Sequence, residues 1–537
     1  MANQATEFLL SGTHAASGVL SALKSEFQLE TEPQKTISNI YYDSFDWRLY
    51  KAGTSLRREN EGKEKRLVWS NLDGSRPRET ARLDGPMPRF AWDFPPGLTR
   101  EGLTPLLEMR ALLPQVEVKG RIRMFRLLDD QDKTVLRLAL EEGESRWPGK
   151  AGYNPLTGRL RLLPVRGYLK PLQRMVQFLV EELELEVAPE GSLETALASL
   201  GRRPGDYSSK LDFRFDAEMP AVAVAKEIHL QLLNTLVENI PGTREDLDSE
   251  FLHDLRVAVR RTRSALTQIK GVFPPAEVER FKTGFAWIGQ ITGPTRDMDV
   301  YLLGYEEYRN SLQAQFRDDL NPLHDFLIAH QKSAHQALVK KLNSPHFHTL
   351  LKEWRAFLET PVTSGQETPN AERPVWEVAN RRIFRIYKRV LEEGLAIGET
   401  SPHEALHELR KNCKKLRYLI EFFRSIYSNK DVNPLIKAIK VLLDNLGDFQ
   451  DLEVQAFKLR EFAHQMVEEG EVPADTLLAM GMLVDGLLRR QLQVRTEFAA
   501  RFAVFSGEDN RATFRRLFAP HKKQKKAERA LTVAASH

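Results

Sequence analysis

The segment Leu252-His253-Asp254-Leu255-Arg256 returns as Leu406-His407-Glu408-Leu409-Arg410, at an offset of 407 minus 253, or 154 residues. The same ungapped offset pairs Arg260 with Lys414, Arg261 with Lys415, Arg263 with Arg417 and Leu266 with Ile420. Further along it pairs Gly293 with Gly447, Asp297 with Asp451, Asp299 with Glu453 and Val300 with Val454. Two separated stretches that agree on one offset mark a duplicated unit. From about Pro220 onward apolar residues recur at three- and four-residue spacing with almost no strand signal, so the duplicated unit is helical. Its later helices match less cleanly, which makes the copies related and not identical.

At ~100° per residue, His253, Arg256, Arg260 and Arg263 fall at about 0°, 300°, 340° and 280°, on one side of a helix. His407, Arg410, Lys414 and Arg417 repeat that basic stripe, with Arg261 and Lys415 on its flank. Leu255, Val259, Leu266 and Ile269 supply an apolar side that can pack. A charge run on one helix ordinarily reads as a solvated face. Here the run is duplicated, and Val257 to Ile269 holds no acid to offset Arg260, Arg261 and Arg263. Like charges on adjacent turns repel, so the stripe points to an anionic partner. More cations sit on neighbouring helical segments: Arg381, Arg382, Arg385, Lys388 and Arg389, then Arg489, Arg490 and Arg495. His253 and His407 read equally as helix-start residues bonded to a neighbour or as ligand contacts. Asp297, Asp299, Asp448, Asp451 and Glu453 could form a metal cluster, but pairing with the arginines or capping helices is the preferred reading.

The first two hundred or so residues have a different texture. Thr36 to Tyr42, Ser55 to Arg58, Lys65 to Trp69, Val116 to Val118 and Val135 to Glu141 read as strands bounded by turn residues. Asp84 to Gly102, with Pro86, Pro88, Pro95 and Pro96, reads as a long loop. A helix is expected from about Leu169 to Leu183, and Gly201 to Gly205 reads as a connector. Thr360 to Pro374, with Thr363, Ser364 and Gly365, reads as the best internal linker. His521 to Arg529, with Lys522, Lys523, Lys525 and Lys526, reads as a basic tail.

The 537 residues exceed what one core usually organises, and 42% hydrophobic with 28% charged residues is the composition of a globular protein. The single cysteine, Cys413, excludes an internal disulfide and a thiolate zinc site, and no apolar run of membrane-spanning length occurs. These features lead us to expect a cytoplasmic protein with no membrane partner. The net charge of +4, from 78 Lys plus Arg against 74 Asp plus Glu, names no partner by itself.

His253-x-x-Arg256-Val257-x-x-Arg260-Arg261-x-Arg263, with Arg296-Asp297-x-Asp299-Val300 downstream and His407-x-x-Arg410 leading to Leu416-Arg417-Tyr418, resembles the CHAD family, the conserved-histidine α-helical domain. The resemblance covers about residues 220 to 518. It implies two four-helix bundles related by a pseudo-twofold axis, repeat 1 at about 220–360 and repeat 2 at about 374–518. It also implies basic helices lining a central groove or pore that binds inorganic polyphosphate. A polyanion without bases needs closely spaced cations and no stacking platform. On this basis the expected phosphate contacts are His253, Arg256, Arg260, Arg261, Arg263, Arg381, Arg385, Lys388, His407, Arg410, Lys414, Lys415, Arg417, Arg489 and Arg490. Asp297, Asp299, Asp448 and Asp451 are expected to support them.

Tyr41-Tyr42-Asp43-Ser44, Leu49, Gly53, Ser55-Leu56-Arg57-Arg58 and Ser208-Ser209-Lys210 resemble the CYTH family of triphosphate-cleaving tunnel-barrel enzymes, over about residues 5 to 215. Metal-dependent triphosphate hydrolysis needs alternating carboxylates. Where that family opens with Glu-x-Glu-x-Lys, this chain has Glu7-Phe8-Leu9-Leu10-Ser11; where it has a Glu-x-Glu-x-Glu strand, this chain has Arg159-Leu160-Arg161-Leu162-Leu163. Glu141 and Glu142 remain as one acidic pair. Arg57, Arg58, Lys63, Lys65 and Arg66 read equally as tunnel lining or as a charged hairpin face.

The expected fold class is therefore α+β and multidomain: a degenerate CYTH-like, antiparallel β-barrel-like domain at 1–215, an all-α CHAD domain at 220–518 and a basic flexible tail at 519–537. The expected function is non-catalytic binding of inorganic polyphosphate, with no cofactor, no metal and possible association with polyphosphate granules. A triphosphatase or polyphosphatase, a nucleic-acid binder and a bundle that scaffolds another protein are the alternatives. No aromatic residue interrupts His253 to Lys270, which disfavours a single-stranded nucleic-acid site.

Overall fold

The computed structural model describes residues 6–10, 16–61, 64–72, 78–361, 365–470 and 472–520. Ser11, Lys63, Thr363, Ser364 and the basic tail beyond Pro520 lie outside the described residues. The chain divides into two compact units, Met1–Ser208 and Ser209–His537. Ser208-Ser209-Lys210 straddles that boundary, and the glycines at 201 and 205 adopt positive φ just before it.

Among the described residues the first unit holds ten strands: β1 (Thr6–Leu10), β2 (Leu29–Thr31), β3 (Lys35–Asp43), β4 (Thr54–Glu61), β5 (Glu64–Asn71), β6 (Glu79–Arg82), β7 (Leu113–Leu128), β8 (Thr134–Arg146), β9 (Asn154–Pro155) and β10 (Gly158–Pro164). They form one antiparallel sheet in the order β1-β10-β8-β7-β3-β4-β5-β6, with β2 also on β7 and β9 on β8. Among the described residues the path is open, with β1 and β6 at its ends, so the barrel-like expectation corresponds there to an antiparallel sheet that does not close.

Alternation sorts the two faces. Leu136, Leu138 and Leu140 of β8, and Leu160 and Leu162 of β10, pack with Phe8, Leu23 and Met175 beneath α1 (Ala16–Glu26) and α4 (Leu169–Gln177). The intervening residues, Arg159 and Arg161 among them, face the other way onto a cavity of about 990 Å³. Gly120 and Gly143 sit opposite each other where β7 crosses β8. A Cβ on Gly120 would stand 2.5 Å from the Glu142 carbonyl oxygen, so only glycine fits that approach.

Two short helices, α2 (Arg48–Lys51) and α5 (Ser192–Ala198), complete this unit together with α3 (Leu98–Leu107). The expected Asp84 to Gly102 loop is shorter than its prolines imply, because Ala91–Asp93 forms a 3₁₀ turn and α3 starts at Leu98. Pro95 and Pro96 precede α3, where no helical N–H is needed, and Gly97 at φ +147° redirects the chain into it. Past Gln177 the expected helix continues as a π turn over Phe178–Glu182.

The second unit is helical: α6 (Ala221–Arg244), α7 (Ser249–Gln268), α8 (Pro275–Ile291), α9 (Gly293–Ser311), α10 (Asn321–Leu342), α11 (Pro345–Glu359), α12 (Val375–Leu395), α13 (His403–Phe422), α14 (Asn429–Glu469), α15 (Ala474–Phe505) and α16 (Glu508–Phe518). The offset of 154 carries Ser249–Gln268 onto His403–Phe422, the bounds of α7 and α13. It also carries α8 and α9 onto the single 41-residue α14. Pro294 explains the difference, since it has no N–H for the helix ladder, whereas Asp448 at the matching position has one.

The halves are joined symmetrically. The Ala221 N–H donates to the Arg373 carbonyl at 2.9 Å, and the Val375 N–H donates to the Met219 carbonyl at 2.9 Å. Residues 221 and 375, and 219 and 373, are each 154 apart, so the contact is reciprocal, as a twofold requires. Pro220 and Pro374 form the bridge between them and precede α6 and α12. The main core draws on both copies, from Val224 and Leu255 to Ile383 and Leu409, and a second core joins Tyr301 and Leu327 to Phe462 and Met480.

The stretch expected as a linker is docked where it is described. Asn370 donates from its backbone to the Gly271 carbonyl and from its side chain to the Lys270 carbonyl, both at 2.8 Å, and Thr368 and Ala371 are buried.

Candidate functional site

Helix α7 is set by its N-cap: the Asp248 carboxylate accepts the backbone N–H groups of Glu250 at 2.9 Å and Phe251 at 3.3 Å. Leu252, Leu255, Val259 and Leu266 are buried on one side, which leaves Arg260 and Arg263 exposed on the other. In α13, Leu406, Leu409, Cys413, Leu416 and Ile420 do the same and leave Lys414 and Arg417 partly open.

The two basic helices pack against each other. Arg261 of α7 reaches Glu421 of α13 at 3.7 Å and donates to the Ser209 carbonyl at 3.1 Å. The same Glu421 accepts from Arg417 at 2.7 Å. The ammonium of Lys414 is pushed down to about 8 by burial first, then by the positive fields of Arg410, Arg260 and Arg417, against the pull of Asp451. Arg260 belongs to the first copy and Lys414 to the second, so where α7 packs on α13 the charge of one half is felt by a cation of the other.

The arginines nearest that space are held by neutral groups as much as by acids. Arg256 donates to the Gly289 carbonyl at 3.0 Å and to the Thr292 hydroxyl at 2.8 Å, and burial is the main influence that lowers its pKa. Arg410, its counterpart, donates to Gln450 at 3.3 Å and to Asp451 at 3.2 Å. The duplicated glycines now have a reason. A Cβ on Gly293 would lie 3.8 Å from Arg256 Nη1, and one on Gly447 would lie 3.6 Å from Arg410 Nη2. A methyl group would just fit there, and a longer side chain would displace the guanidinium.

Arg260, Arg263 and Lys414 have no carboxylate at ion-pairing distance among the described residues, and Arg256, Arg260 and Arg263 line an open cavity of about 320 Å³ with Gly289 and Gln290. Lys415 is engaged elsewhere, donating to Asn412 at 2.9 Å. His253 lies 3.0 Å from a guanidinium nitrogen of Arg296 through its Nδ1. His407 lines a separate cavity of about 290 Å³ with His403, Phe449 and Glu453. The expectation that nothing offsets the α7 arginines is thus corrected for Arg261, whose acid comes from α13, a partner that the α7 sequence does not contain.

Arg381, Arg385 and Lys388 lie on α12, beside a different groove. Arg489 and Arg490 lie exposed on α15, where Arg489 pairs with Asp485 at 2.7 Å and Arg490 donates to Gln493 at 3.1 Å; nothing among the described residues joins them to α7 or α13. Of the acids, Asp451 pairs with Arg410, and Asp297 feels Arg256, Lys458 and Arg296, although burial, the larger influence, raises its pKa. Burial pushes Asp299 up to about 6; it accepts from Gln331 at 3.2 Å and so sits apart from the stripe. Burial and its acidic neighbours Asp444 and Asp451 raise Asp448. Among the described residues no three histidines, cysteines or carboxylates gather as a metal site would require. Gly289, Thr292 and Gln290 were not among the expected site residues, and as neutral groups on another helix they left no signal in the stripe.

In the first unit, Arg159 pairs with Glu7 at 2.6 Å, and Arg161 bridges Glu7 at 2.9 Å and Glu141 at 3.0 Å. Glu7 stands directly opposite Arg161 in the β1/β10 register. Arg57 points into the cavity and pairs with Glu59 at 2.7 Å. Asp43, from the Tyr-Tyr-Asp-Ser motif, accepts the N–H groups of Ser44, Leu49 and Tyr50 at 2.7, 2.9 and 2.9 Å and holds the turn into α2.

Residues 227–460 match the family model described as the CHAD domain. A curated relative from Mycobacterium tuberculosis (strain ATCC 25618 / H37Rv), the uncharacterized protein Rv2226, is 25% identical over 328 residues, which is 56% of this chain and 60% of that relative's length. The crystal structure of the CHAD domain from the plant Ricinus communis is similar at 24% identity and a TM-score of 0.47, covering 58% of this chain and 97% of that one. A putative adenylate cyclase from Bacillus halodurans is similar at 13% identity and a TM-score of 0.26, covering 35% of this chain and 94% of that one. No described helix is long and apolar enough to cross a membrane.

Proposed function

We propose, from the premise that residues 227–460 form a CHAD domain, that this protein binds inorganic polyphosphate without cleaving it. The ligand would lie in the space where α7 and α13 meet. The observation that carries the reading is the convergence of Arg260 and Lys414, from opposite copies, close enough for each other's charge to matter. Arg260 and Lys414 form no ion pair with a carboxylate among the described residues, so they repel one another, and a polyanion relieves that repulsion. Arg256 and Arg410 would give planar, two-pronged contacts to phosphate oxygens from orientations already fixed by Thr292 and Gln450. Arg260, Arg263 and Lys414 would follow the chain as point charges. Release of counterions makes the affinity salt-dependent.

No chemical step is assigned to the sheet unit. Of the carboxylates that line the cavity, Glu7 and Glu141 are already occupied by Arg159 and Arg161, and Glu59 by Arg57. The test is retention of polyphosphate by the full chain, with phosphate release from tripolyphosphate in magnesium or manganese measured in parallel. Binding without phosphate release supports the proposal; release that persists when Arg260 and Arg263 are reversed to Glu would support the triphosphatase reading.

A further inference from the structure

The two halves differ in one respect that the shared stripe conceals. Helices α6 and α12 are the same element in the two copies: at the offset of 154, buried Val224, Ala225, Leu232, Leu233 and Leu236 meet buried Val378, Ala379, Ile386, Tyr387 and Val390. Five other positions diverge. Arg381, Arg382, Arg385, Lys388 and Arg389 of α12 stand where α6 has Glu227, Ile228, Gln231, Asn234 and Thr235, of which Ile228 and Thr235 are buried in α6. At ~100° per residue the five α12 cations occupy an arc of roughly 120°, turned away from buried Ala379, Ile383, Ile386, Tyr387 and Val390.

With Lys270, these five line a groove of about 690 Å³ that contains one acid, Glu392. Among the described residues, Arg381, Arg385 and Lys388 have no carboxylate at ion-pairing distance, and Arg389 reaches only Glu393 at 3.7 Å. Arg382 donates to Gln268, the last residue of α7, at 2.6 Å. At its other end the row approaches α13, where Arg389 adds to the positive field at Lys415. The groove therefore abuts both basic helices. Burial, then the charges of Arg385 and Arg389, lower the pKa of Arg382, as expected where cations crowd without acids. Phe384 also lines the groove but packs inward near Tyr387, with ring centroids 6.1 Å apart, so it offers no stacking platform for a base.

We infer that the α12 groove is a second subsite for the same linear phosphate polymer, present in one copy only, which extends the α7/α13 site to one side and makes the protein prefer long chains. This rests on the proposed function, because it needs polyphosphate to occupy α7 and α13 first. The asymmetry gives an otherwise twofold site a direction: a chain gripped between α7 and α13 gains more contacts by running over α12 than over α6. The row from Arg381 to Arg389 rises ~12 Å along the helix axis, enough to engage several further phosphates.

The test compares the full chain with the triple variant Arg381→Glu, Arg385→Glu, Lys388→Glu, and with a charge-matched control, Lys340→Glu, Lys341→Glu, Lys352→Glu, on α10 and α11. Each is titrated with tripolyphosphate and with a polyphosphate of many tens of units. The expected result is a fall of about tenfold or more in the ratio of long-chain to tripolyphosphate affinity for the α12 variant, with a long-chain salt slope shallower by ~2, as the loss of three phosphate contacts requires. The control should keep the wild-type ratio. An α12 variant that keeps it too would overturn the subsite while leaving the proposed function standing. A wild-type chain that binds neither polymer would overturn both. Single-stranded RNA that competes equally, phosphate for phosphate, would overturn the assignment of a base-free ligand.

Discussion

The two units both collect arginines beside a cavity and do opposite things with them. In the sheet unit Arg57, Arg159 and Arg161 each lie against a carboxylate, and Arg161 holds two. In the helical unit Arg260, Arg263 and Lys414 have no carboxylate at ion-pairing distance among the described residues, and Lys414 feels Arg260 more than Asp451. The number of cations thus says little about affinity for an anion; what matters is whether the fold has already neutralised them. A neutralised arginine contributes rigidity, whereas an uncompensated one stores repulsion that a polyanion can relieve.

The largest effect is expected from reversing the uncompensated charges. Arg260→Glu with Arg263→Glu should weaken polyphosphate binding by about 100-fold or more at moderate salt. The circular-dichroism spectrum should not change, since both side chains are exposed. Wild-type affinity in that variant would break the comparison. Next comes geometry: Gly447→Leu should displace Arg410 and lower affinity by about tenfold, whereas Gly447→Ala should bind normally and gain ~0.5–1 kcal/mol of helix stability by thermal melting.

A several-fold effect is expected from pH. The pKa of Lys414 is already down to about 8. Phosphate favours its charged form, so affinity should fall by about three- to tenfold between pH 7 and 9 as the free protein loses that proton. Lys414→Arg, which stays charged throughout, should flatten the profile, and an unflattened profile would place the titrating group elsewhere. The smallest effect on binding belongs to the sheet unit. Arg161→Ala removes the cation between Glu7 and Glu141 and should lower that unit's stability by ~1–3 kcal/mol in a denaturant titration. Polyphosphate affinity should change less than about twofold. A large loss would mean that the neutralised arginines take part after all.

Much of the helical unit was legible because duplication leaves a mark that needs no structure: the offset of 154 related the stripe of Arg256 and Arg260 to that of Arg410 and Lys414, and the observed bounds of α7 and α13 keep that offset. What the stripe could not contain was the partner from another helix. Glu421 lies 160 residues from Arg261, counting 421 minus 261, and no spacing rule on α7 predicts it. Arg489 and Arg490 lie on α15, engaged with Asp485 and Gln493, a placement that composition does not carry. The sheet strands were visible from alternation and turn residues, but β7 runs through Gly120 where a break was the simpler reading. The start of α3 was hidden because the prolines that forbid helix interiors are tolerated just before a helix begins. The pairing of Arg161 with Glu7 required the β1/β10 register, which sets together two residues 161 minus 7, or 154, apart in sequence.

The central claim is that cations from the two copies build one site. Calorimetric titration of the full chain with a short, defined-length polyphosphate tests it most directly, using Arg260→Glu and Lys414→Glu separately. One class of site is predicted, with either substitution weakening the whole isotherm. Two independent classes, each substitution deleting one and sparing the other, would contradict it.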